Sequence, residues 1–149
     1  MRKAKLQAAT VGGTADEIEA QFYEALQTAN IEKLMSCWAD EDDIVCVHPG
    51  GPRLVGSASI RAVFEAMFIN GAIAAVPEQV CKVESLTSAM HNLIERVALH
   101  TADRSQEAVV LVTNVYQRTP QGWRMVAHHA SPGTAATHAD ANDLPQVLH

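Results

Sequence analysis

The chain has no CxxC pair, no basic run beyond Arg2-Lys3-Ala4-Lys5, and no apolar stretch near the roughly 18–20 residues that cross a bilayer. Its three cysteines, Cys37, Cys46 and Cys81, are odd in number and far apart. That excludes a disulfide framework and leaves them as buried thiols acting as small apolar residues. Lys and Arg number 11 against 17 Asp and Glu, a net charge of −6. No cationic stripe is available to neutralise phosphates or lipid headgroups, so nucleic acid and membrane are set aside as partners. Leu6 to Val11 is too short and, with Gln7 and Thr10, too polar for the apolar part of a signal peptide, and the expected location is cytoplasmic.

Motifs for bound groups are missing as well. There is no P-loop, GxGxxG or GxSxG element, and no HxH or HExxH spacing. His48, His100, His128 and His129 lack the spacing of metal ligands, and nothing near Cys46 or Cys81 would activate a thiolate. The expectation is a protein without metal or cofactor.

What the chain does have is ordinary globular composition, 48% hydrophobic and 19% charged over 149 residues. One domain of that length buries roughly 68–70% of its unfolded surface. Thr14-Ala15-Asp16-Glu17 reads as a capping box opening a helix, with Ile18, Phe22, Ala25, Leu26 and Ala29 at helical spacing. Ile31, Leu34, Met35 and Trp38 form a second stripe after a break at Asn30. Ile44 to His48 is a short β-rich run, stopped by Pro49-Gly50-Gly51-Pro52 and followed by Arg53-Leu54-Val55. Ser57 or Ser59 can cap a third helix that carries Ile60, Val63, Phe64, Met67 and Phe68 and ends at Asn70-Gly71.

From residue 78 the period changes from 3.6 to 2, with strands expected at about 79–88, 92–101, 106–118 and 122–131. Helices followed by strands imply an α+β domain in which three helices cover one face of a curved antiparallel sheet. Residues 1–13 are expected as a flexible N-terminus, 14–132 as the domain and 133–149 as a C-terminal tail.

Three segments carry a resemblance: Trp38-Ala39-Asp40, the stretch Val47-His48-Pro49-Gly50-Gly51 with Leu54-Val55-Gly56 and Ile60, and the closing hairpin Asn114-Val115-Tyr116 to Gly122-Trp123-Arg124-Met125-Val126, His129 and Ser131. Together they resemble the SnoaL-like superfamily, which includes nuclear transport factor 2, ketosteroid isomerase, scytalone dehydratase and the kinase association domains. The resemblance implies a cone-shaped α+β barrel around a mostly apolar pocket for a small molecule. It also implies a homodimer through the sheet, whose open face would carry Val97, Val109, Leu111 and Val115. The fold hosts enzymes, carriers and assembly modules alike.

His48 precedes Pro49 where the isomerases carry their proton-shuttling carboxylate, and an imidazole with an unperturbed pKa near 6.5 can take and return a proton. A His-Pro-Gly sequence equally ends a strand. On the last strand, alternation puts Trp123, Met125, Ala127, His129 and Ser131 on one face, so His129, matching the association-domain pattern, is expected inward and His128 outward. Asn114 shares a face with Val110, Val112 and Tyr116 and would need hydrogen-bond partners or a ligand there. Trp38 is expected at the pocket wall or in the core. Glu95 and Arg96 alternate, and whichever faces inward is a candidate ligand contact; the pattern does not decide between them, and Arg96 is taken as the ligand-binding candidate. The isomerase's first-helix tyrosine has Phe22 at its nearest position, with Tyr23 expected to face elsewhere. The expected function is acid/base chemistry of isomerase, lyase or hydrolase type with His48 as proton carrier, or alternatively non-catalytic binding or assembly.

Overall fold

A computed structural model of the chain describes residues 13–100 and 105–134. Both expected terminal segments, residues 1–13 and 133–149, fall almost wholly outside that range.

Helix α1, Ala15–Thr28, starts as the capping box requires, the Glu17 N–H donating to Thr14 Oγ1 at 3.0 Å. It ends at Ala29, a residue in the left-handed region at φ 52°. Asn30 then caps α2, Ile31–Ser36, its Oδ1 accepting from the Lys33 N–H at 3.0 Å. Helix α3, Ser57–Ile69, departs from expectation: Gly56 takes the N-cap position and no side chain caps the helix. Gly56 has φ 87°, a backbone that serine at this position would adopt only with strain, and its N–H donates to Ile44 O at 2.9 Å.

The strands are β1, Val45–Val47; β2, Arg53–Val55; β3, Ala74–Glu84; β4, Ser88–His100; β5, Ser105–Thr119; and β6, Gly122–Pro132. β3 begins earlier than its sequence period indicates and stops before Ser85. Gln79, with φ 53°, sits in a bulge where the register with β4 shifts between Glu78 and Cys81, which breaks the alternation. Pro77 is accommodated because β3 is an edge strand.

The sheet order is β2-β1-β6-β5-β4-β3. All neighbours are antiparallel except β1 and β6, which pair in parallel. The expected antiparallel sheet is therefore mixed at one seam, because β6 closes the long meander beside β1 while running in β1's direction. The α+β architecture holds, with the helices on one face. The core between the layers is built from Ile18, Phe22, Leu26, Leu34, Ile60 and Phe64 against Leu93, Val112, Tyr116 and Met125. Cys37 and Cys46 are buried as expected, but Cys81, beside the bulge, is exposed. No helix among the described residues is long and apolar enough to cross a membrane.

Candidate functional site: an apolar cavity with one carboxyl and two imidazoles

Between the helices and the sheet lies a cavity of about 230 Å³. Its walls are apolar: Phe22 and Leu26 from α1, Phe64 and Met67 from α3, Val97 from β4 and Val110 from β5. Three polar side chains break that lining, His48, Glu95 and His128. The volume falls below the roughly 300–1,000 Å³ of drug-sized pockets, which suits a small ligand.

His48 reaches the cavity because β1 ends at Val47 and the Pro49–Pro52 turn folds back, the Gly51 N–H donating to His48 O at 2.8 Å. Its ring packs edge-on to Phe64 with centroids 4.9 Å apart, and 6.1 Å from the ring of His128. Its Nε2 lies 3.6 Å from Cys46 Sγ.

The last strand reverses an expectation. Val115 pairs with Ala127 but Tyr116 pairs with Met125, so Val126 is an extra residue in β6. A bulge of one residue flips the side-chain alternation beyond it. Met125 faces the core, and after the bulge so do His128 and Ala130, while His129 is exposed. His128, not His129, is the imidazole in the cavity.

Strand β4 corrects a second expectation. Glu95 points into the cavity, and Arg96 points to the outer face, where its guanidinium pairs with Glu78 at 3.2 Å and Glu107 at 3.0 Å. Val97, expected on the open sheet face, shares Glu95's parity and lines the cavity instead. Trp38 is not at this cavity. It is buried where its backbone bridges to Met125, and its indole N–H, beside a separate hollow lined by Asp40, Ser57 and Arg61, has no partner among the described residues.

Asn114 lies beneath the cavity wall, fully buried, and ties the polar groups together. Its Oδ1 is 2.6 Å from His128 Nδ1, which must therefore be the donor, leaving His128 Nε2 with its lone pair. Its Nδ2 donates to the Tyr23 hydroxyl at 3.3 Å, and that hydroxyl donates to Glu95 Oε2 at 2.7 Å. Tyr23 thus faces inward, contrary to the sequence expectation. The buried face of α1 is wide: beside the Ile18, Phe22, Leu26 row runs a second row, Ala15, Glu19 and Tyr23, covered by the sheet. The i, i+4 spacing of that second row was the available signal.

Burial dominates the electrostatics. It pushes the Glu95 carboxyl up to about 6, against the opposing pull of the Tyr23 hydrogen bond. It pushes His128 down to about 3, with the nearby His48 and His129 adding to the effect, and it lowers His48. Both imidazoles are neutral near pH 7, whereas Glu95 titrates close to it. The Cys46 thiol is raised to about 12 by burial, which removes it as a nucleophile.

Residues 16–135 match the SnoaL-like domain family. The chain belongs to that family. A solved structure from Thiobacillus denitrificans, named as a candidate calcium/calmodulin-dependent protein kinase type II association domain, is 30% identical with a TM-score of 0.73, over 81% of this chain and 96% of that one. One from Streptomyces avermitilis, named as a candidate dehydratase of the NTF2-like family, is 29% identical with a TM-score of 0.73, over 85% of this chain and 98% of that one. An NTF2-like protein from Novosphingobium aromaticivorans, described as having a cystatin-like fold, is 19% identical with a TM-score of 0.70, over 92% of each chain, and speaks to the fold alone. No curated protein sequence matches. Within the SnoaL-like frame, the cavity occupies the space between α1, α3 and the inner sheet face.

Proposed function

We propose that this SnoaL-like protein binds a small, mainly apolar molecule in the cavity and moves a proton within it, an isomerase- or lyase-type reaction. The observation that carries this reading is Glu95: the one carboxyl among the residues lining a mainly apolar cavity, with a pKa of about 6. A carboxylate of that basicity takes a proton at neutral pH and gives it back as the acid. Tyr23 occupies Oε2, and Oε1 is the atom left for the ligand. In the isomerase form the proton leaves the carbon between a carbonyl and a C=C, the electrons shift to the carbonyl oxygen as a dienolate, and Glu95 returns the proton to the far alkene carbon as the C=O reforms. In the lyase form the enolate expels a β-hydroxyl, which takes the proton from Glu95 and leaves as water. Each atom is accounted for without an oxidant or reductant. Neutral His48 donates a ring N–H to the ligand's carbonyl oxygen and is the second proton carrier, while His128, whose Nδ1–H is held by Asn114, offers Nε2 as an acceptor for a ligand hydroxyl.

The likeness to the Streptomyces avermitilis protein supports the lyase form of this reading. The likeness to the Thiobacillus denitrificans association domain favours a second reading, a binding or assembly module that performs no turnover.

Proton NMR in D2O separates the two. With a panel of small ketones and hydroxyketones, the wild-type chain is expected to catalyse deuterium incorporation beside the carbonyl. Glu95→Gln is expected to lower that rate by about 10²–10⁴-fold, the usual contribution of a positioned base. If panel members raise the melting temperature yet exchange no faster with wild type than with Glu95→Gln, the catalytic reading fails and the binding module stands.

A further inference from the structure

We propose that Asp16, Glu84 and His91 form a site for one divalent first-row cation of the zinc type, separate from the cavity. His91 lies on the inner face of β4 and is completely buried, 0% exposed. Its Nδ1 is 2.6 Å from Glu19 Oε2, a carboxylate oxygen that also accepts from the Tyr116 hydroxyl at 3.0 Å. With Nδ1–H directed at Glu19, the neutral tautomer that a metal would select carries its lone pair on Nε2. That atom is buried and has no hydrogen-bond partner, an arrangement that costs about 1–3 kcal/mol unless something binds there.

Nε2 aims between two carboxylates. Asp16 Oδ1 is 3.7 Å away and Glu84 Oε2 is 4.0 Å away, and one donor atom from each of the three residues lies within 4.8 Å of the others. Ligand bonds of roughly 2.0–2.2 Å in a tetrahedron put donor atoms about 3.3–3.6 Å apart. The two carboxylates are more than half exposed, so small side-chain movements close the remaining gap while the buried imidazole stays still. One neutral imidazole and two carboxylates form a ligand set suited to zinc, and three protein ligands leave one position for water. Glu19 supplies the orienting carboxylate that metal-bound histidines habitually have behind them.

The same place already attracts a cation, since Lys82 Nζ sits 2.9 Å from Asp16 Oδ1. A metal ion must displace that ammonium, and Lys82, 38% exposed, can swing into solvent. The sequence shows no ligand spacing for this set because packing assembles it: the first turn of α1 lies on the end of the β3–β4 hairpin, where Lys82 pairs with His91 across the strands. None of Asp16, Glu84 and His91 lines the cavity.

The test is titration of the chelator-treated full chain with zinc against a competing dye, repeated with Co²⁺ for its visible absorption. One equivalent is expected to bind. His91→Gln should abolish binding, Glu84→Gln should weaken it at least about tenfold, and Glu19→Gln about 10–100-fold, as loss of an orienting carboxylate does. Lys82→Gln, which frees Asp16, should tighten it. His91 is buried and its variant can misfold, so the exposed Glu84→Gln and Lys82→Gln variants decide the matter. The site is disproved if wild type binds no stoichiometric ion, or if binding is the same in both of those variants.

Discussion

Glu95 and Tyr23 share one hydrogen bond, and that bond opposes the effect of burial on the carboxyl. Tyr23→Phe removes it, so the Glu95 pKa is expected to climb above about 6 and any rate that needs the carboxylate should shift its acid limb to higher pH. The substitution also removes the hydroxyl that accepts from the Asn114 amide, which lowers stability. A merely structural tyrosine would lower stability and leave the limb in place. The linkage to stability has a definite sign. The folded pKa of Glu95, about 6, exceeds the ordinary 4.5, so its contribution is fully present below pH 4.5 and is lost as pH rises through 6. The 1.5-unit difference between those values amounts to about 2 kcal/mol. Urea unfolding at pH 5 and pH 7.5 should show Glu95→Gln gaining on wild type between the two by about 1 kcal/mol, the rest having been lost already by pH 5; a constant difference would mean that Glu95 is ionised freely in the fold.

At the scale of elements, one surplus residue in β6 determines which histidine the cavity receives. Deleting Val126 restores unbroken alternation, turns His128 outward and drives His129 and Ser131 toward the core. The His128–Asn114 bond is lost and new polar groups are buried without partners, so the expected cost is about 2–6 kcal/mol, read from the urea midpoint. An unchanged midpoint would show that the strand tolerates either register. The bulge at Gln79 works in the same way on β3, where it ends the pattern read from the sequence and leaves Cys81 outward.

At the scale of the whole molecule, Val109 on the outer sheet face, expected to be open, is buried with Ile94, but other apolar side chains there are exposed. Val76, Val83 and Leu111 are 48%, 66% and 39% exposed there, next to the Glu78–Arg96–Glu107 ion pairs. An apolar strip rimmed by charge is a self-complementary surface, and we propose that two copies pair through it. Light scattering on a size-exclusion eluate is expected to give twice the 16.1 kDa chain mass, and Leu111→Glu is expected to return it to one. A monomeric wild type at micromolar concentration would count against the pairing.

The order of helices and strands, the capping of α1 by Thr14, and the placing of His48 at a strand end were legible in the chain itself, because capping and periodicity act within a few residues. So was the SnoaL-like fold, carried by segments from Trp38 to the closing hairpin. Which side chains meet was not. Glu95 over Arg96, His128 over His129 and the inward turn of Tyr23 depend on a bulge, on the parity of β4 against its neighbours and on how wide a face of α1 the sheet covers. Those are long-range facts, since a one-residue shift in a strand exchanges its two faces while leaving local composition untouched.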